Sequence, residues 1–337
     1  MKIEIVTAVS PALKETGFGS ALACNDVLAS LTLQGHVVRL SECGSLKDLD
    51  AVTHREPDLV VLAAKYMPIE GGDKLWFSDY FAQHNITFSG STRETLNYDS
   101  DKVLAKSRLS SLGIKTARYF TATPGEFSDE EELPLSFPLF LKPTDAANGN
   151  GIDDQSFVEN FSQFQSKVCA LYAVYKQPIL VEEFLAGKEF TVAVINSTDG
   201  TLSISAIELE PPLSSGNLRI LGAVVKIQDT ETLKKVNAEQ LEEVQLLAAH
   251  CYRALGVRGY GRIDVKMDLK GVCYFMEANL VPGMKRASSY FPKACEITNQ
   301  LSYDEVIKLM FNESFMRVLA KQSLDTMFEP APLSCAV

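Results

Sequence analysis

The sequence of 337 residues lacks the cysteine pattern of a zinc site or of a disulfide framework. Its seven cysteines are an odd number, lie far apart and never form Cys-x-x-Cys, whereas zinc ligands and structural disulfides recur at short spacings. Dispersed thiols of this kind are typical of a reducing compartment, so we expect a cytoplasmic protein. We find neither a secretory signal nor an apolar run long enough to cross a bilayer, and we expect no membrane partner.

A basic surface and two nucleotide signatures are also missing. The formal net charge of −11 argues against general binding to nucleic acid, because phosphate contacts need many lysines and arginines. No stretch matches the P-loop pattern G-x-x-x-x-G-K-[ST], and GFGSAL near the start lacks the third glycine of the dinucleotide fingerprint. A small anionic ligand held by a few local cations is still compatible with this composition.

The hydrophobic pattern is typical of an α/β protein with more than one domain. Strands predicted at residues 3–9, 36–40 and 59–64, with a helix at 20–34, indicate a parallel sheet at the start of the chain. Further strands are predicted at 137–142, 179–184, 190–196 and 202–209, and further helices at 101–112, 156–175, 238–255 and 303–321. We see no internal repeat.

The stretch GRIDVKMDLKGVCYFMEANLVPG, residues 261–283, carries the strongest functional signal. The residues DLKG predict a tight turn between two strands, in which the first residue pairs with the fourth. Arg262 then pairs with Glu277, and Asp264 pairs with Phe275. The stretch therefore predicts a β-hairpin with charged groups close together.

By alternation, one face of this hairpin holds Arg262, Asp264, Phe275, Glu277 and Asn279, while the other face is apolar. Carboxylates together with an amide oxygen are ligands that suit a hard cation such as Mg²⁺. Diagonal neighbours lie about 7–8 Å apart, so their oxygens can share one ion or bridge two. A solvated strand face is the alternative, although lysine, threonine and serine are more typical of one.

Two further stretches suit a nucleotide. Lys142 ends an apolar strand directly before the glycine-rich DAANGNG, where backbone N–H groups can approach phosphate oxygens. A plain turn is the alternative for this loop. The stretch ILVEEFLAGKEF holds three glutamates, Glu182, Glu183 and Glu189, at and after the end of an apolar strand. One polar residue is ordinary where a strand ends, but three suggest a binding role.

The motifs NYDSDKVLAK, FPLFLKP, ILVEEFLAGKEF, GYGRIDV and FMEANLVPGM, in this order, resemble those of the ATP-grasp enzymes and, within them, of the D-alanine–D-alanine ligase family. The resemblance extends from about Ile86 to Ser289. It implies an α/β fold of mixed α+β type, the ATP-grasp fold. The implied parts are an N-terminal Rossmann-like parallel-sheet domain (1–98), a small central lid domain (99–190), a C-terminal mixed-sheet catalytic domain (191–325) and a tail (326–337).

The resemblance also implies roles for particular residues. Lys102 and Lys142 would bind phosphates. Adenine and ribose would be bound by Glu182, Glu183, Leu185 and Glu189. Two magnesium ions, with manganese as an alternative, would be held by Asp264, Glu277 and Asn279. Catalysis would use Arg262, the backbone N–H of Gly283 and Lys226, and the amino-acid substrate would contact Glu15, Asn148 and Ser288.

The implied reaction is ATP-dependent: a carboxylate attacks the γ-phosphate, and an amine then displaces phosphate from the acyl phosphate to form an amide. Such an intermediate hydrolyses easily, so we expect a lid, for which Pro211–Lys226 is the candidate and an ordinary connecting loop the alternative. The implied partners are small carboxylates and amines, above all amino acids, and a second copy of the chain in a homodimer.

Three departures from the family pattern leave the substrate open. Ala147-Asn148-Gly149 replaces a serine pair, Ile227 occupies a position that is commonly tyrosine, and Lys285-Arg286 replaces small polar residues. The hypotheses are a ligase that makes D-alanyl-D-alanine, the same chemistry on another amino acid or specialised metabolite, and a nucleotide-binding protein without catalysis. The set Arg262, Asp264, Glu277 and Asn279 counts against the third.

Overall fold

The computed structural model describes residues 1–9, 17–69, 73–214 and 216–328, with the backbone alone for residues 325–328. Within these residues three sheets of three or more strands follow one another along the chain. No helix of the described part has both the length and the apolar character needed to cross a membrane.

The first sheet is parallel, as the sequence predicts. In the spatial order β2-β1-β3, its strands are β1 (Lys2–Ala8), β2 (Val37–Cys43) and β3 (Leu59–Leu62). Helices α1 (Ala21–Leu33) and α2 (Leu46–Thr53) connect them. Each helix begins after a serine, Ser20 or Ser45, whose side chain accepts a hydrogen bond from a first-turn N–H. The predicted parallel α/β arrangement of this region is confirmed.

A short hairpin and three helices lead to the second sheet. They are β4 (Tyr66–Pro68), β5 (Lys74–Trp76), α3 (Phe77–Gln83), α4 (Arg93–Ser100) and α5 (Lys102–Ser111). Asp101 caps α5, because its side chain accepts a hydrogen bond from the N–H of Leu104 at 2.9 Å. Lys102 is consequently the first residue of this helix.

The second sheet is antiparallel and has a hydrophobic core of its own. In the order β6-β9-β7-β8, its strands are β6 (Tyr119–Ala122), β7 (Leu139–Pro143), β8 (Phe157–Val158) and β9 (Ile179–Glu183). Helix α6 (Phe161–Tyr175) packs against it. The helix begins later than predicted, because the side chain of Asn160 caps it by accepting from the N–H of Gln163.

The third sheet shares one core with the first. In the order β12-β11-β10-β13-β14, its strands are β10 (Glu189–Asn196), β11 (Leu202–Glu210), β12 (Thr232–Lys235), β13 (Tyr260–Met267) and β14 (Cys273–Asn279). The accompanying helices are α7 (Ala223–Gln228), α8 (Ala238–Ala254), α9 (Tyr290–Asn299) and α10 (Tyr303–Phe328). These strands pair antiparallel, and a parallel bridge joins Thr116 to Phe275 at the edge.

The hairpin of β13 and β14 forms, but its predicted register is wrong. Asp264 pairs with Glu277, and Arg262 pairs with Asn279. The sequence alone predicts that Asp264 pairs with Phe275 and Arg262 with Glu277. The observed register places two carboxylates directly opposite each other rather than on a diagonal.

Two local features shift the register. The turn holds three residues, 269–271, because the N–H of Asp268 bonds to the carbonyl oxygen of Val272, and Gly271 adopts the positive φ that this turn requires. A bulge then leaves Met276 as an extra residue of β14. Phe275 consequently pairs with Val265 on the apolar face and leaves the polar one.

Gly187 lies where the connection between β9 and β10 meets the β13–β14 turn. Its N–H donates to the carbonyl oxygen of Met267 at 3.0 Å. A Cβ at this position would lie 2.6 Å from the carbonyl oxygens of Met267 and Asp268. Backbone atoms cannot move aside as the end of a flexible side chain can, so the second and third sheets depend on glycine here.

We predict that Gly187→Ala lowers the free energy of unfolding by about 1–3 kcal/mol, because the methyl group forces two backbones apart. Urea unfolding followed by circular dichroism measures this change. Gly216→Ala is the matched control, since its Cβ would lie 3.8 Å from the nearest atom. Equal stability of the two variants would contradict the close approach.

Candidate active site

The polar face of β13 and β14 is organised around the carboxylate of Asp264. Arg262 donates from Nε to Oδ1 at 3.0 Å and from Nη2 to Oδ2 at 2.9 Å. The hydroxyl of Thr191, on the neighbouring strand β10, donates to Oδ1 at 2.6 Å, and Asn279 Nδ2 donates to Oδ2 at 3.1 Å. These hydrogen bonds fix the orientations of the carboxylate and the guanidinium.

Glu277, which faces Asp264, is held in the ionised form. Burial and the nearby Glu277 raise the pKa of Asp264, although Arg262 opposes this shift. Burial acts to raise the pKa of Glu277 as well, but the lysines around it, chiefly Lys102 and Lys226, lower that pKa overall. The Nζ of Lys102 lies 3.5 Å from Glu277 Oε2.

A second cluster of charges lies on β9. Glu182 is 1% exposed and lies between two lysines: Lys106 Nζ is 2.5 Å from its Oε1, and Lys142 Nζ is 2.7 Å from its Oε2. Burial alone would raise the pKa of Glu182, but the two ammonium groups lower it. The carboxylate therefore fixes the position of Lys142.

Sequence reasoning missed Lys106, which is fully buried. Besides Glu182, it contacts the carbonyl oxygen of Phe275, at 3.3 Å. Its spacing from Lys102 in DKVLAK is the signal that was available, because residues four apart share one face of a helix. The two lysines of α5 therefore point toward β9 and β14.

A cleft of about 700 Å³ lies between the second and third sheets. Its apolar lining includes Phe140, Leu185, Ile220, Leu221 and Met276. Its polar lining includes the predicted residues Lys142, Glu182, Glu183, Glu189, Lys226, Asp264 and Glu277. An apolar slot that ends in lysines and carboxylates suits a flat base with a phosphate chain.

The glutamates at the rim of this cleft have different partners. Glu183 accepts hydrogen bonds from the backbone N–H and the Nε of Arg118, both at 2.8 Å. Glu189 accepts from Lys266 Nζ at 2.9 Å. The adjacent Glu182 binds Lys106 instead, as expected when successive strand residues face opposite sides.

A second pocket, of about 770 Å³, adjoins the cleft. The predicted residues in its lining are Asn148, Lys226, Arg262, Asn279, Gly283 and Ser288. Lys226 lines both spaces, and Arg262 in the pocket bonds to Asp264 in the cleft. The two spaces therefore meet at the polar face of the hairpin.

Ser289, which was not predicted, also lines the second pocket. Its Oγ accepts from the N–H of Lys285 at 2.8 Å and would lie 3.0 Å from a Cβ at Gly283. The hydroxyl group thus lies against the backbone of residue 283. The predicted substrate residue Glu15 lies outside the described residues.

The candidate lid contacts the glycine-rich loop. A Cβ at Gly222 would lie 2.4 Å from the carbonyl oxygen of Ile152, and one at Gly149 would lie 3.0 Å from the backbone nitrogen of Ala223. Helix α7 begins at this contact and carries Lys226 into both spaces. Ile227, at the position where the family commonly has tyrosine, is 79% exposed.

Comparisons with known proteins identify the family of the chain. The family model described as D-ala D-ala ligase C-terminus matches residues 109–312. The chain belongs to this family. It is 28% identical, over 298 residues, to the D-alanine–D-alanine ligase of Marinomonas sp. (strain MWYL1), covering 87% of this chain and 90% of that protein.

Solved structures show the same fold. The D-alanine–D-alanine ligase of Bacillus anthracis complexed with ATP matches with a TM-score of 0.73 and 21% identity, covering 95% of this chain and 99% of that one. The VanG D-Ala:D-Ser ligase of Enterococcus faecalis matches with a TM-score of 0.69 and 19% identity, covering 93% and 99%. The fold is therefore that of the ATP-grasp ligases, and the chain is a D-alanine–D-alanine ligase-like, ATP-dependent ligase.

We predict that Glu182→Gln lowers the free energy of unfolding by about 3–5 kcal/mol, because it leaves two buried ammonium groups beside a neutral amide. Chemical denaturation at neutral pH measures the change. Glu183→Gln is the matched control: its ion-pair partner Arg118 has a side chain that is 73% exposed, so the loss there should stay below about 1 kcal/mol. Equal losses in both variants would refute the buried cluster.

Proposed function

We propose that this ligase joins the carboxylate of one amino acid to the amine of another, using ATP and passing through an acyl phosphate. The observation that carries the proposal is the junction of the two spaces at Lys226 and the polar face of β13 and β14. A nucleotide in the cleft would direct its phosphates toward the pocket in which the second reactant binds. Phosphoryl transfer between neighbouring sites needs this arrangement.

In this proposal the cleft binds ATP with its phosphates toward the lysines. Lys102 and Lys142 contact the phosphates, and Glu189 takes a ribose hydroxyl. Leu185 contacts the adenine from the apolar wall, and the neighbouring backbone of Glu183 binds its edge. Glu182 acts through Lys142, which it holds at the end of β7.

The residues of the hairpin fit a divalent cation. Asp264, Glu277 and the side-chain oxygen of Asn279 are hard oxygen donors. Only two of these three residues are carboxylates, so the set lies outside the clusters of three or more His, Cys, Asp or Glu side chains, of which the described residues hold none. Two carboxylates are enough for Mg²⁺, which usually completes its coordination with phosphate oxygens and water. We propose that these residues hold two Mg²⁺ ions, with Mn²⁺ as a substitute. When bound, the ions neutralise charge on the transferring phosphate.

The bond changes follow from this placement. A carboxylate oxygen of the first substrate attacks the γ-phosphorus, a P–O bond forms, and ADP leaves. Lys142 and Lys226 offset the negative charge that collects during this step. The amine of the second substrate then attacks the acyl carbon, and Arg262 with the N–H of Gly283 stabilises the resulting oxyanion. Phosphate departs, the amine loses a proton, and an amide remains.

Water must be kept from the acyl phosphate, and the contact between the glycine-rich loop and Gly222 supports a lid role for Pro211–Lys226. Asn148 and Ser288 would contact the substrate from the pocket wall. D-alanine is the first substrate to test, because similar proteins are named as D-alanine–D-alanine ligases. The exposure of Ile227 favours a second candidate, a different amino acid, since no tyrosine closes the site there. A cytoplasmic homodimer is part of the same proposal.

Phosphate release from Mg·ATP tests the function, with D-alanine alone and then with D- and L-amino acids singly and in pairs. Mass spectrometry of the products is read alongside. Release with D-alanine, together with its dipeptide, supports a D-alanine ligase, and release with another pair supports the redirected substrate. ATP binding without release for any pair would contradict the ligase function and favour a nucleotide-binding protein.

We predict that Glu277→Gln lowers turnover about 100-fold or more, because metal-dependent stabilisation of the transferring phosphate is worth several kcal/mol. Phosphate release at saturating Mg·ATP measures this loss. Glu243→Gln is the control, because Glu243 accepts a hydrogen bond from the N–H of Cys273 at the far end of β14. Unchanged turnover in Glu277→Gln would refute the metal assignment.

A further inference from the structure

A buried lysine in the wall of the second pocket has no role in the reaction described so far. Lys65 follows β3, is 4% exposed and lines this pocket. Its ammonium donates to Asp99 Oδ1 at 2.5 Å. The other oxygen of Asp99 accepts from the N–H groups of Leu280 and Val281, at 2.5 and 3.3 Å.

These contacts fix the ammonium in place. Three donors already satisfy Asp99, and two of them belong to the backbone that follows β14. Lys65 has three N–H donors, and within the described chain Asp99 is the acceptor it contacts. Since buried donors are normally paired, two donors at the edge of a pocket suit an anionic group of a ligand.

Two other cations near the pocket, Arg262 and Arg286, are already paired with carboxylates, and a third, Lys226, lies at the nucleotide cleft. Arg262 directs Nε and Nη2 to Asp264, and Lys226 lies where the pocket meets the nucleotide cleft. Arg286, which stands where the family pattern has a small polar residue, pairs with Asp304 at 3.0 Å and lies over the ring of Tyr303 at 4.3 Å. Arg286 does not line the pocket, whereas Lys65 does.

We propose that Lys65 is a specificity-determining residue that binds a substrate carboxylate other than the one that ATP activates. The proposal rests on the ligase function proposed above and narrows its substrates to amino acids that bear such a second, unreacted carboxylate. That group is either the α-carboxylate of the amine substrate or the side-chain carboxylate of an acidic amino acid. Asp99 is a positioning residue, because it acts through Lys65.

The test compares wild type with Lys65→Met and with the double variant Lys65→Met/Asp99→Asn. The double variant removes both charges and retains an oxygen that can accept from the N–H of Leu280. Arg55→Met/Glu4→Gln is the matched control, because it removes a partly buried ion pair between the connection that precedes β3 and strand β1, with Nε 2.6 Å from Oε1. Thermal unfolding of every variant separates a loss of stability from a loss of recognition.

Two pairs of ligands are used in both stereochemical series: alanine with alaninamide, and aspartate with asparagine. Their affinities for protein loaded with Mg²⁺ and a non-hydrolysable ATP analogue are measured by calorimetry, and kcat/KM is measured for those that react. We expect wild type to bind the carboxylate ligand more tightly than its amide. In both Lys65 variants the ratio of these two affinities should fall about 10- to 100-fold, which is the effect of losing one charged hydrogen bond. The control variant should keep the wild-type preference.

A loss confined to the aspartate pair identifies the side-chain carboxylate. A loss confined to the alanine pair identifies the α-carboxylate of the amine substrate if the KM for the amine substrate rises, and overturns the proposal if only the KM for the substrate that ATP activates rises. The proposal is overturned if both preferences stay unchanged, if all ligands weaken equally, or if wild type itself binds acid and amide equally. Because binding is measured without turnover, an inactive wild type would count against the ligase function alone.

Discussion

The pairing of Asp264 with Glu277 is the constraint on which the rest of the site depends. Two carboxylates that face each other on neighbouring strands repel unless cations surround them. Here Arg262 binds one carboxylate through both of its oxygens, and Lys102 lies 3.5 Å from the other. These ion pairs connect β13, β14 and α5. Because Asp264 already accepts four hydrogen bonds, the carboxylate oxygens of Glu277 are the ones left for a divalent cation where the cleft and the pocket meet.

The same logic explains how a chain with a net charge of −11 can bind an anionic nucleotide. Its site cations are local and buried, and carboxylates hold them in position. Glu182 holds Lys106 and Lys142, and Asp99 holds Lys65. Fixed charges in a partly enclosed site need little reorganisation when a phosphate arrives, which is the condition for strong electrostatic stabilisation.

Much of this could be predicted from the sequence, because it depends on local patterns. Strand alternation placed Arg262, Asp264, Glu277 and Asn279 on one face, and the structure brings them together there. The register could not be predicted, because a three-residue turn and a bulge are set by backbone hydrogen bonds rather than by residue type. The ion-pair partners of the buried lysines could not be predicted either, because they lie far away in the sequence. Lys106 pairs with a glutamate 76 positions away, and Lys65 with an aspartate 34 positions away.

The central claim is that a substrate carboxylate attacks the γ-phosphorus of ATP. The most direct test supplies the reacting amino acid with ¹⁸O in its carboxylate and measures the isotope in the released phosphate by mass spectrometry. The account predicts that each phosphate released with product carries one labelled oxygen, because the attacking oxygen leaves with the phosphate when the amide forms. Phosphate free of label, or label recovered in AMP, would contradict the account.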